Sequence, residues 1–151
     1  MYLAEAIKEK DLVSKRMNWL YSRIKDLSIS TDDTDIKLNQ KLAETKVKDL
    51  ENLYKEFQKY SIVISRAKVI AKIKLNDEEF SIADAENILE AMRVKLSYYE
   101  ELVDHIRKFS SDPQTFLCMD LEMVHDKINS TISDIKSIEI SIERALWIIE
   151  V

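Results

Sequence analysis

Arg66, Lys68 and Lys72 stand in a stretch, residues 57–75 (FQKYSIVISRAKVIAKIKL), that also holds Lys59 and Lys74 and has no Asp or Glu. The chain as a whole carries a formal net charge of -5, so this stretch inverts the local sign. The chemistry such residues offer is anion capture. Arg66 presents a planar fork for bidentate contact with phosphate or carboxylate, while Lys68 and Lys72, one helical turn apart, act as point charges. Tyr60 and Trp147 offer rings for stacking. The alternative is a solvated face whose lysine stems cover apolar surface and whose heads reach Glu5, Glu9 or Glu90. Lys68 separates the two readings, because its register turns it inward, where a lone ammonium is costly and needs a partner or a ligand.

The same stretch is apolar on too many sides for an ordinary surface helix. Ile62, Val63, Ile64, Val69, Ile70 and Ile73 cannot share one face at 100° per residue. A second copy of the chain is the expected cover, giving a homo-oligomer, with ligand sites favoured where subunits meet.

Other reactive residue types form no complete constellation. Glu122 and His125 make one E-x-x-H, and Glu101 with His105 lies one turn apart, whereas a di-metal bundle needs two such motifs and further inward glutamates. No metal ligands and no cofactor are assigned. Cys118 and His125 would have to converge in space to act as a nucleophile pair, which spacing does not show. With no arrangement suited to acyl transfer, phosphoryl transfer or redox chemistry, the expectation is a protein that is not an enzyme.

The elements that must position these residues are helical. There is no Gly and a single Pro, so the residues on which hairpins and phosphate loops depend are missing, and 34% of residues are charged against 46% hydrophobic. Apolar residues three or four apart predict one domain over residues 1–151, with helices at about 3–28, 36–73, 82–109 and 120–149. Residues 28–35, SISTDDTD, read as the first connection, with Thr31 or Asp32 as N-cap. The second helix carries Ala43, Val47, Leu50, Tyr54, Phe57, Ser61, Ile64 and Lys68 on a coiled-coil seam. The alternation of Lys72, Ile73, Lys74 and Leu75 offers a second reading, in which its last residues leave the helix as an extended arm. Residues 76–80 read as a tight acidic connection, and Ser81 with Asp84 as a capping start for the third helix. Pro113 ends that helix, and residues 114–119 are briefly extended. Short connections favour an antiparallel up-down-up-down bundle, which would gather the basic stretch, Tyr2, Lys8, Arg93 and Trp147 at one end.

Three stretches carry a resemblance to a known family. YLAEAIKEKDLVSKRMNWLYSRI at the start, ISRAKVIAKIKL followed by a capped helix in the middle and SIEISIERALWIIEV at the end look like the small bacterial septicolysin-like proteins, and together they cover about half of the chain. The family shares an LAEAL-type first helix, a central I-N-R-T-N run and a C-terminal close on Asn-Trp. Ile64, Ser65, Arg66, Ala67 and Lys68 fall on the central run, with Arg66 retained and Ser65 and Lys68 in place of the asparagines. Glu86 and Asn87 stand where the family has paired arginines. The resemblance implies an all-helical protein, and the family name points to cytolysis.

The fold class expected is therefore all-α, an oligomeric bundle of four long helices. The expected function is a non-catalytic binding protein that captures a small anionic, nucleotide-like ligand at Arg66, Lys68, Lys72, Arg93, Tyr60, Tyr2 and Trp147. A helical scaffold or inhibitor that binds partner proteins is the alternative, and a membrane-acting cytolysin comes third. An acidic chain is a poor partner for duplex nucleic acid. The N-terminal residues reach Glu5 before an apolar run builds up, no window is apolar enough to span a bilayer, and a lone Cys118 makes no internal disulfide, so a cytoplasmic location is expected.

Overall fold

The computed structural model describes residues 1–29 and 35–151 and is mostly helical: α1 (Leu3–Ser28), α2 (Ile36–Ile70), α3 (Ile82–Phe109) and α4 (Leu121–Leu146), with a hairpin of β1 (Lys72–Leu75) and β2 (Glu78–Ser81) between α2 and α3. The expected N-cap at Thr31 or Asp32 lies outside the described residues. The chain divides into two compact units, one of residues 1–67 and 147–151 and the other of residues 68–146.

In the first unit, α1 starts where the Glu5 carboxylate accepts the Tyr2 N–H at 2.8 Å, satisfying a donor that the helix leaves open. Its apolar positions bury Leu3, Ala4, Ala6, Val13 and Leu20. The two chain ends meet here. Leu3 N–H donates to the Ile149 carbonyl at 2.7 Å, Val151 N–H donates to the Met1 carbonyl at 2.9 Å, and Tyr2 and Glu150 form an antiparallel bridge. Part of α2 belongs to this unit, where Phe57 lies under the Lys10 ammonium at 5.0 Å. Along its whole length α2 buries only Ile64, so its stability depends far more on backbone propensity and half-covered contacts than that of its neighbours.

In the second unit α3 and α4 pack together, β1 lies on α4 and β2 on α3. The core is built from Ile82, Ala85, Leu89 and Val103 of α3, Val124, Ile135, Ile138 and Ile142 of α4, and Ile73 of β1. Thr131 is the one buried polar residue among those described, and its hydroxyl donates to the Lys127 carbonyl at 2.7 Å, so among the described residues no buried side-chain polar atom is orphaned. α3 begins as its sequence indicates, with the Asp84 N–H donating to Ser81 Oγ at 3.0 Å. Past its C-terminus, Asp112 accepts the Gln114 N–H at 2.9 Å and Thr115 Oγ donates to the Phe109 carbonyl at 2.6 Å, holding the turn at Pro113.

Two helix ends need correction. α2 stops at Ile70 rather than at 73, because Lys72–Leu75 pairs antiparallel with Glu78–Ser81 in the register Ile73↔Phe80 and Lys74↔Glu79. Ladder hydrogen bonds and burial of Ile73 against α4 outweigh one more helical turn. The segment read as an acidic connection is thus a turn plus a strand. α4 stops at Leu146 rather than at 149, because Ile149 and Glu150 are drawn into the bridge with the N-terminus.

The hairpin turns without glycine. Asn76 and Asp77 take φ of 50° and 68°, the two consecutive left-handed residues that a two-residue hairpin loop requires, and Asn and Asp tolerate that region best among residues with a Cβ. Asp77→Val is therefore expected to destabilise the chain by about 1–2 kcal/mol, and Asn76→Gly to leave it unchanged or slightly firmer, as read from denaturant midpoints.

Candidate functional site

The cations singled out from the sequence are placed in both units. In the first, Arg66 and Tyr60 lie on α2, Arg66 exposed and Tyr60 half-buried. Tyr2 is itself a partner in the terminal bridge and Trp147 lies three residues before the other, its ring 4.5 Å beneath the Lys8 ammonium. Arg66 makes no ion pair among the described residues.

The second unit holds Lys68, Lys72 and Arg93, and each faces a carboxylate. Lys68 Nζ lies 2.5 Å from Glu86 Oε1, with the lysine side chain only 23% exposed. This pair joins the last turn of α2 to the first turns of α3, and it provides the half-buried ammonium with a counter-charge. Its partner Glu86 is none of the carboxylates considered from the sequence. Arg93 Nη2 lies 2.7 Å from Glu139 Oε1, tying α3 to α4. Lys72 is 3.9 Å from Glu79, and both are largely exposed, a loose cross-strand pair.

These distances rank the cations by how readily an external anion could reach them. Arg66 is uncommitted, Lys72 is weakly held, and Lys68 and Arg93 are engaged in short pairs that a ligand would have to displace. Lys59 and Lys74 also stand without an ion pair among the described residues. Position in sequence does not reveal this ranking, since the partners Glu86 and Glu139 lie 18 and 46 residues away.

The remaining candidates are placed as follows. Cys118 is exposed, and its thiol lies 3.7 Å from the Phe116 carbonyl. It shares a cavity of about 520 Å³ with His105 rather than with His125. The His105 ring packs 5.0 Å from that of Phe109. Among the described residues there is no group of three or more His, Cys, Asp or Glu side chains placed to hold a metal ion. Among them, too, no helix is long and apolar enough to cross a membrane.

Comparison with known proteins adds a fold and no function. No family model and no curated protein matches the chain. The chain is similar in structure to a functionally unknown conserved protein from Corynebacterium diphtheriae. The two are 18% identical with a TM-score of 0.78, over 97% of this chain and 95% of that one. At that identity the likeness establishes a shared fold along nearly the full length of both chains.

Proposed function

We propose that this chain is a non-catalytic, self-associating helical protein that captures a small anionic, nucleotide-like ligand. The observation that carries the reading is the state of Arg66. It is exposed near the end of α2, in a stretch without a single carboxylate, and its guanidinium has no ion-pair partner among the described residues. A planar fork left free in this way is suited to bidentate phosphate recognition. Lys59 and Lys74 add positive potential along the same stretch.

Self-association is supported by the neighbouring surface. Val69 and Ile70 are 63% and 77% exposed at the end of α2, and a second copy would remove them from water. A ligand site beside such a contact would be completed by assembly. Lys68, Lys72 and Arg93 then act in two ways. Within the second unit, Lys72 can turn from Glu79 to an anion at little cost, while Lys68 holds the last turn of α2 to α3 and Arg93 ties α3 to α4.

Calorimetric titration with a panel of mono- and dinucleotides tests the reading. The wild-type chain is expected to bind at least one of them, and Arg66→Ala to weaken that binding about tenfold or more, the usual cost of losing a charged bidentate contact. Absence of heat with every nucleotide at millimolar concentration would sink it.

A specific observation also favours the scaffold reading. On α2 the exposed residues Val47, Tyr54, Ile62 and Val69 recur every seven or eight positions and so form one stripe along the helix, a surface of the kind that partner helices bind. If Arg66→Ala converts oligomers into monomers without affecting nucleotide binding, the cations serve assembly and the scaffold reading replaces ligand capture.

A further inference from the structure

We infer that the cavity enclosed by the hairpin, α3 and α4 is the seat for the base of that ligand, a flat heterocycle bearing an amino group. The inference rests on the nucleotide-like reading above, and it concerns residues the sequence did not single out. The cavity measures about 390 Å³ and lies wholly within the second unit. That places it toward the lower end of the roughly 300–1,000 Å³ typical of small-ligand sites, room for one or two fused rings.

Its lining has two halves. The apolar half is made by Phe80 of β2, Ile88 and Met92 of α3, and Ile138 of α4. Of these, Ile138 is buried and the other three half-buried, so each keeps some surface that a ring could cover. An aromatic ring and a thioether are both suited to packing against a π-face. The polar half comes from Asn76 of the turn, which brings both an acceptor and donors, from Glu78 of β2, and from Asp134, Ser137 and Ser141, the last three spaced three and four apart on α4 and therefore sharing one helical face.

This polar half is rich in acceptors. Ionised Glu78 and Asp134 can only accept hydrogen bonds, and neither is in an ion pair among the described residues. Ser141 Oγ donates to the Ser137 carbonyl at 2.9 Å, which spends its one proton and leaves its oxygen lone pairs to accept. An apolar slot edged by acceptors selects a flat body with N–H donors on its edge, as in an amino-substituted purine or pyrimidine. Lys74, exposed and at the rim, opposes a small free cation and suits a ligand whose far end is anionic. Lys74 also belongs to the basic stretch, so the anionic end of the ligand could meet it there.

The test is calorimetry on the full chain with three probes: adenosine, adenosine monophosphate, and purine riboside, which has hydrogen where adenosine has its amine. Adenosine is expected to bind, purine riboside to bind about tenfold more weakly, and Asp134→Ala to erase that difference. Asp134 is an exposed helix position, so its variant should fold; unchanged helicity by circular dichroism checks this, and Glu78→Gln gives an independent second variant. Equal binding of the two nucleosides, or a preference that survives both variants, overturns the assignment. Binding of the monophosphate without binding of adenosine overturns the cavity and leaves the anion reading standing. Adenosine binding that the phosphate does not improve supports the cavity and overturns the anion reading.

Discussion

Replacing Ile82 by Ala is expected to cost about 3 kcal/mol, the middle of the range for truncating a fully buried aliphatic side chain. Ile82 is completely inaccessible to solvent and is the first residue of α3, immediately after β2. Its backbone N–H donates to the Ala71 carbonyl at 3.1 Å, just before β1, so the hairpin is closed at its base by the same residue whose side chain fills the core. Truncation leaves a void under both the strand pair and the helix, and a base fixed by hydrogen bonds can collapse into it only partly. A denaturant titration should show the loss as a lower midpoint at unchanged slope, and a thermal scan as a fall of roughly 6–12 °C for a chain of this size. A loss below about 1 kcal/mol would mean that the site repacks freely, and that the hairpin is not docked on a close-packed core.

The second large effect is expected at the Lys68–Glu86 pair. Glu86→Ala removes the counter-charge from an ammonium whose side chain is only 23% exposed, and about 2 kcal/mol should be lost. That is less than for a fully buried pair, because Lys68 retains a path to water. Lys68→Met in the Glu86→Ala background should recover much of the loss, since an apolar chain of similar length needs no partner. A double-mutant cycle over Lys68→Met and Glu86→Ala reads the coupling, and a coupling near zero would reassign the pair to the weak surface class.

The periodicity of the sequence located α1 and α3 at the bounds observed, because each has a strong 3–4 repeat, and the start of α3 is marked as well by Ser81 with Asp84. The end of α2 was not legible in the same way. Lys72–Leu75 alternates in the strand manner, but four residues cannot outvote the helical run that precedes them, and the decisive factor is pairing with Glu78–Ser81. The absence of glycine argued against a hairpin. Asn76 and Asp77 take over glycine's task, and the acidic look of the segment hid them.

The candidate site was legible only in part. Register placed Lys68 inward, and it is the least exposed of the three paired cations. That it is answered by Glu86 was not readable, because the ion pair depends on how α3 is brought back by the hairpin. The cavity beside the hairpin was invisible for the same reason: Phe80, Met92 and Asp134 come from three elements whose meeting depends on the turn at Asn76. With a lysine at 68, a carboxylate at 86 is favourable, where an arginine would place two cations together.

Native mass spectrometry of the chain, alone and with a nucleotide mixture at millimolar concentration, measures subunit number and bound mass together. Assembly through the end of α2 and capture at Arg66 require a homo-oligomer that gains the mass of a nucleotide in the wild type and loses that gain in Arg66→Ala. A bare monomer that takes up no nucleotide would contradict both.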